Sequence, residues 1–226
     1  MIEDIAGRGS VWWTVAKERV VACWWQLLVV ELLHLVALSV LSSIVAGAGA
    51  AESAETVLMF VIGAVLGAWR WSARLRLLDG EGDLVRALRT AGSPVLRLAL
   101  LSSAVNLYGL TWVASTLFWG DDSLVRSLSL PLFPVSLFLA AAFALLPMAV
   151  LLEGRGFGRA WHLLRDDRRS ALRIVLVILG QAVLSVVLPN SMLSLLIDPA
   201  AAVLLFASYR LSLDEEKSPS SPGKAS

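Results

Sequence analysis

The sequence predicts an all-α polytopic membrane protein: about six transmembrane helices in three hairpins, with amphipathic elbows on the cytoplasmic side. Three observations predict it. The 226 residues are 58% hydrophobic and only 16% charged, whereas soluble domains are nearer half apolar and a quarter charged. Six stretches approach the roughly 20 apolar residues that cross about 30 Å of hydrocarbon. The basic residues fall almost wholly on one side of those stretches. A soluble two-domain helical protein is the competing class. It requires amphipathic stripes, and several segments here are apolar all round.

Taken in order, residues 1–23 read as a cytoplasmic amphipathic segment. The stretch 1–13 carries Glu3 and Asp4 and has no apolar core, so it is not a cleavable signal peptide, and the first span directs insertion. Spans are expected at 24–46, 56–72, 97–119, 129–152, 171–188 and 192–209, within a transmembrane domain covering 24–210. The fifth and sixth are short and joined only by Pro189-Asn190-Ser191. A full hairpin is expected there, because backbone groups in lipid must be satisfied inside a helix; a shallow re-entrant hairpin is the alternative. Residues 211–226 are rich in Ser, Pro and charge and are expected to be a disordered cytoplasmic tail. The outer loops, about nine, nine and three residues long, are too short to fold into a domain.

Orientation follows from the basic residues. Arg8, Lys17 and Arg19 precede the first span. Arg70, Arg74, Arg76, Arg86, Arg89 and Arg97 surround the second connector, and Arg155, Arg159, Arg165, Arg168, Arg169 and Arg173 the fourth. Arg210, Lys217 and Lys224 follow the sixth span. Of the 19 basic residues only Arg126 falls on the other side, among Glu52, Glu55, Asp121 and Asp122. The basic side is therefore cytoplasmic, with both termini on it, in a cell inner (plasma) membrane. Trp12, Trp13, Trp24, Trp25, Trp69, Trp71 and Trp161 cluster near that interface and Trp119 near the opposite one, as indole rings prefer. A net charge of +1 implies no bulk attraction to nucleic acid, and one cysteine, Cys23, forbids an internal disulfide.

An amphipathic basic segment precedes each hairpin. In the third, Phe157, Ala160, Trp161 and Leu164 make one helical stripe, surrounded by Arg155, Arg159, Arg165, Arg168 and Arg169. In the second, Leu84, Leu88, Ala91 and Val95 do the same beside Arg86 and Arg89; the first, near 12–20, is shorter. Such elbows lie in the membrane plane, basic face toward anionic headgroups. They serve as anchors, or as docking surfaces for a protein or a lipid headgroup.

Few residues are equipped for chemistry. Glu31 and His34 share a face of the first span. A carboxylate beside an imidazole can bind a proton, a cation or a metal; it can equally be a mutually hydrogen-bonded pair inside the bundle. Ionisable groups in spans are costly and often functional. Asp198 precedes Pro199 in the sixth span and either lines a polar path at a kink or caps the resumed helix. Asn106 and Gln181 are candidate interhelical hydrogen-bonding groups, and Gly63 and Gly67 form a G-x-x-x-G helix-packing pair, within the chain or between chains. Gly154, Gly156 and Gly158 follow a membrane helix rather than a strand, so they read as a flexible exit and not a dinucleotide site, and His162 reads as a solvated elbow residue. No Walker A, H-E-x-x-H, G-x-S-x-G or paired C-x-x-C motif is present. No metal and no cofactor are expected.

The stretch LPMAVLLEGRGFGRAWHLLRDDRRSALRIVLVILG (residues 146–180) resembles a recurrent pattern of bacterial multi-span proteins, the family of the glycerophosphoryl diester phosphodiesterase membrane domain and its stand-alone relatives. Pro147, Glu153, Gly158, Trp161, Leu164 and Arg165 carry the likeness. GEGDLVRALRTAGSPVLRLALL resembles the family's earlier elbow, and PAAAVLLFASYRLSLDEE, with Tyr209 and Arg210, its closing span. The short turn between the fifth and sixth spans departs from the pattern. The resemblance implies a six-span bundle. The soluble catalytic domain that some members carry is not matched by this sequence, so their activity does not transfer. The expectation is a non-enzymatic scaffold or accessory component of a membrane transport or envelope-lipid system, touching the bilayer, anionic headgroups at the cytoplasmic face, and a membrane protein partner or a second copy. An ion-coupled carrier or intramembrane enzyme using Glu31, His34 and Asp198 is the alternative. Replacing Glu31 and His34 separates the two.

Overall fold

The computed structural model describes residues 2–49, 51–80, 82–92, 94–106, 109–111, 113–114, 117, 132–166, 168–187 and 194–217. The principal elements among them are α1 (Ile2–Gly47), α2 (Glu52–Asp79), α3 (Leu84–Thr90), α4 (Val95–Val105), α5 (Leu132–Ala142), α6 (Leu146–Leu151), α7 (Phe157–Asp166), α8 (Arg168–Val187) and α9 (Ser194–Lys217). No strand occurs among the described residues. Three segments are long and apolar enough to cross a membrane: Trp12–Gly47, Ser53–Asp79 and Leu195–Asp214. Val95–Val105 and Ala171–Leu184 are apolar but shorter. The Pro189-Asn190-Ser191 turn, the acidic outer loop with Asp121, Asp122 and Arg126, Trp119, and Lys224 lie outside the described residues.

The N-terminal segment is not a separate elbow. α1 runs unbroken for 46 residues, about 69 Å at 1.5 Å per residue. No Gly or Pro interrupts it between Gly9 and Gly47. Ala16, Cys23, Leu27 and Val30 form one buried stripe through both its parts, so one packing face carries the helix across the expected boundary at residue 23. The expected tail is also helical in its first part, because α9 continues to Lys217. The second span is longer than expected as well. α2 passes Arg70, Arg74 and Arg76 and stops only at Gly80, whose φ of 116° lies in the left-handed region. Its N–H donates to the carbonyls of Arg76 and Leu77, a glycine-dependent C-cap.

The third and fourth expected spans are both interrupted. α4 ends at Asn106, and the helix resumes with Asn106 Oδ1 accepting from Gly109 N–H at 2.9 Å and Asn106 O from Leu110 N–H at 3.0 Å. Asn106 is thus a local cap rather than the expected interhelical link. α5 and α6 are separated at residues 143–145. Pro147 has no N–H to offer Phe143 O, and Leu146 N–H bonds that carbonyl instead, at 2.8 Å, which tightens the turn.

α1 packs between α2 and α9; α4 and α6 lie on α2, and α8 on α9. The core gathers Leu27, Leu75, Leu78, Met148, Phe206 and Tyr209. Two elbows close it. α3 contributes Ala87, and its C-cap Ala91, with Leu84 and Leu88 against them, whereas Val95 of the expected stripe begins α4; Asp83 caps α3 through Val85 N–H at 3.0 Å. α7 contributes Ala160 and Leu163. Past this core, α1 and α2 extend as a hairpin whose Leu32, Leu35, Val36, Val40, Ile44, Leu58, Val61 and Val65 are exposed.

Candidate functional site

A charged centre joins four helices. Glu31 from α1 accepts from Arg74 Nε at 2.5 Å through Oε1 and from Arg70 Nη1 at 3.2 Å through Oε2. The same Arg70 nitrogen donates to Asp198 Oδ2 of α9 at 2.8 Å, and Gln181 Nε2 of α8 donates to Asp198 Oδ1 at 2.7 Å. Arg74 Nη2 also touches Glu31 Oε1, out of line for a hydrogen bond, and lies 3.9 Å from Asp198 Oδ2. The Arg74 side chain is 1% exposed and its guanidinium sits 5.4 Å from the centre of the Trp71 ring. Two carboxylates meet two guanidiniums, so the centre is neutral as a unit. Burying such charges is tolerable only when each is paired and hydrogen-bonded.

The backbone explains the assembly. Arg70 and Arg74 stand four residues apart, on one face of α2. Glu31 continues the buried stripe of α1 that runs through Leu27 and Val30. Asp198 does not cap a resumed helix: Pro199 sits within an uninterrupted α9, and the carboxylate turns to Arg70 and Gln181. Gln181 is interhelical, as expected. His34 is buried one turn beyond Glu31, but the two do not bond to each other. Both Glu31 oxygens face arginines, and His34 Nδ1 has no hydrogen-bond partner among the described residues. A guanidinium, charged and able to donate several bonds, displaces a neutral imidazole as the partner of a buried carboxylate. No group of three or more His, Cys, Asp or Glu among the described residues is placed to hold a metal ion.

The centre also serves as a ruler. From Glu31 to Gly47, α1 runs about 24 Å onward, and from Arg70 back to Glu52, α2 runs about 27 Å in the same direction. From Asp198 back to Ser194, α9 has only about 6 Å, and from Gln181 to Val187, α8 has about 9 Å. Among the described residues, α8 and α9 therefore reach about 15–21 Å less far beyond the centre than α1 and α2; the residues that join them, 188–193, lie outside the described residues.

Three concavities surround this centre. The first, about 400 Å³, lies between the two helix interruptions, with Asn106, Phe143, Ala144, Pro147, Trp71 and Gln181 in its wall. The second, about 360 Å³, opens along α2 and α4 over Gly63, Gly67 and Arg70. A Cβ added at Gly63 or Gly67 meets nothing within 4 Å, so neither glycine marks a close helix approach among the described residues. That role falls to Gly109, where a Cβ would sit 2.6 Å from Asn106 Nδ2 and 2.9 Å from Phe60 Cε2. The third, about 610 Å³, is an apolar groove between α8 and α9 with Trp12 and Arg173 in its wall.

The third elbow differs from its expected form. Its apolar face lies on protein: Ala160 and Leu163 are buried, and Phe157 stacks edge-on against Phe143 at 5.0 Å. Trp161, expected in the stripe, is 44% exposed beside Phe143. Arg159 is not free for headgroups, because its Nε donates to Glu153 Oε2 at 2.6 Å, while Tyr209 donates its O–H to Glu153 Oε1 at 3.0 Å. Arg155 and Arg165 are exposed; the side chains of Arg168 and Arg169 lie outside the described residues. Arg97 donates to Gly154 O at 2.8 Å, and Arg210 pairs with Asp79.

Sequence reasoning missed Arg70 and Arg74 as site residues because it counted them only as interfacial charge. The available signal was their four-residue spacing near the end of a span, with two carboxylates in other spans in need of cations. No family model, no curated protein and no solved structure matches this chain. The likeness to the glycerophosphoryl diester phosphodiesterase membrane domain therefore rests on its motifs alone.

Proposed function

We propose that this chain is a polytopic, non-enzymatic membrane component, a scaffold or accessory subunit of a transport or envelope-lipid system, with both termini cytoplasmic. The observation that carries the reading is the neutral centre. The buried Glu31 and the half-buried Asp198 are both held by guanidiniums of α2, and Gln181 of α8 bonds Asp198, so these costly groups serve to lock α1, α2, α8 and α9 together. The topology that goes with it has α1, α2 and the two interrupted spans crossing the bilayer fully. In this reading the α8–α9 hairpin enters from the cytoplasmic side and ends part-way; the smaller reach of its described residues beyond the centre supports this, although Leu195–Asp214 is by itself long and apolar enough to cross a membrane. The test is labelling of single cysteines in a Cys23→Ala background with a membrane-impermeant thiol reagent. Gly49→Cys is expected to label from outside and Asn190→Cys to resist it. Equal labelling of the two excludes the part-way hairpin, and labelling of a cysteine at Ser226 from outside excludes the topology altogether.

A second reading, an ion-coupled carrier using Glu31, His34 and Asp198, has one observation in its favour. Two interrupted helices line a single cavity that also reaches Gln181, the hydrogen-bond partner of Asp198, and interrupted helices are where transporters place their sites. Glu31→Gln, His34→Asn and Asp198→Asn discriminate. Loss of a cellular phenotype at normal protein level supports the carrier; loss of the protein itself supports the lock.

A further inference from the structure

We infer that the groove between α8 and α9 is a binding site for one anionic phospholipid of the cytoplasmic leaflet, with its phosphate on Arg173 and an acyl chain along the groove. The inference rests on the membrane-embedded reading above and adds a ligand to it. The wall of the groove is apolar apart from Arg173 and Gln181, and the Gln181 amide already bonds Asp198. Its depth comes from small residues, Gly180 on α8 and Ala200 and Ala201 on α9, between flanking leucines. A Cβ added at Gly180 meets nothing within 4 Å, so the space is open rather than filled by a neighbouring helix.

Charge selects the occupant. Arg173 lies at one end of the α8 wall, and its guanidinium rests 5.9 Å from the Trp12 ring centre. It has no carboxylate partner among the described residues, in contrast to the paired Arg70, Arg74, Arg159 and Arg210. The Trp12 indole N–H donates to Ser208 Oγ at 3.1 Å, which fixes the ring under the guanidinium. An oriented cation with no carboxylate partner among the described residues, above an apolar slot, matches a phosphate joined to a hydrocarbon chain.

Length selects the leaflet. From Arg173 to Leu184 the groove follows α8 for about 16 Å, close to half of a hydrocarbon core of about 30 Å. The described parts of the two helices reach Val187 and Ser194. The slot is thus one leaflet deep, and its charged end lies on the basic, cytoplasmic side.

The test is native mass spectrometry of the full chain in mild detergent, titrated with dioleoyl phosphatidylglycerol or dioleoyl phosphatidylcholine. Wild type is expected to bind the anionic lipid about five-fold more tightly, the ratio that one basic residue near an anionic surface supplies. Arg173→Gln is expected to abolish that preference and Arg173→Lys to retain most of it. Gly180→Leu, which fills the slot, is expected to weaken both lipids severalfold. Equal binding of the two lipids to wild type, or a preference that survives in Arg173→Gln, overturns the proposal. So does a preference lost in Arg155→Gln but kept in Arg173→Gln, which moves the site to the elbow. If Gly180→Leu leaves both lipids bound and disrupts a dimer instead, the groove holds a second copy and the proposal falls. Retention of the protein in membranes after an alkaline wash tests the membrane-embedded reading separately, because that retention does not depend on the lipid headgroup.

Discussion

Removing the Glu31 charge is the sharpest perturbation of the charged centre. Glu31→Gln keeps the size of the side chain but leaves Arg74, 1% exposed, without its principal counter-charge. Arg70 retains Asp198 at 2.8 Å, so the damage falls mainly on Arg74. Breaking a buried pair by removing one partner costs about 3–5 kcal/mol. For a chain of this length each kcal/mol lowers the melting temperature by about 2–4 °C, so a drop of roughly 6–20 °C is expected. Arg74→Met should also destabilise, but less, since Glu31 loses its closest partner yet keeps Arg70 at 3.2 Å. The double variant restores neutrality and leaves the Arg70–Asp198 pair intact. It should therefore lose about 1–3 kcal/mol less than the sum of the two single losses. The assay is size-exclusion of detergent-solubilised protein after heating through a temperature series. A wild-type melting profile for Glu31→Gln refutes the lock. Strictly additive losses in the double variant refute the pairing of Glu31 with Arg74.

The packing sets four further outcomes. Gly109→Ala should cost about 1–3 kcal/mol, because the new methyl meets Asn106 and Phe60 inside normal contact distance. Gly63→Ala and Gly67→Ala, in open space, should be neutral or stabilising by up to about 1 kcal/mol through helix propensity; thermal melts in detergent measure all three. Asn106→Ala should lose about 1 kcal/mol with the cap on Gly109 N–H, read in the same melts. In the third elbow, Leu163→Ala should cost about 2–5 kcal/mol as a core truncation, whereas Trp161→Ser, at an exposed site, should change stability much less; the reverse ranking of the two melts means that the apolar face is not set against the bundle.

The sequence alone determined the helical class and pointed to the three segments long and apolar enough to cross a membrane, because runs of apolar residues and their period are local properties that survive without knowledge of neighbours. Over the described residues it placed α8 and the span part of α9 within a few residues. It also picked out Glu31, His34, Gln181 and Asp198, since a polar group inside an apolar run is conspicuous wherever it ends up. What it did not contain was partnership. Arg70 and Arg74 lie 39 and 43 residues from Glu31, and Arg70 lies 128 residues from Asp198; only the tertiary arrangement turns two interfacial arginines into the counter-charges of two spans. The same holds for the glycines. G-x-x-x-G at residues 63 and 67 is a local pattern, but whether a helix approaches it depends on where the other helices lie, and here the close approach is at Gly109. Chain ends and interruptions were decided by capping and packing: one buried stripe carries α1 across residue 23, Gly80 stops α2, and Asn106 and Pro147 divide two expected spans. The common level of α1, α2 and α9 is likewise a tertiary property, because it exists only once the ion pairs through Arg70 join them.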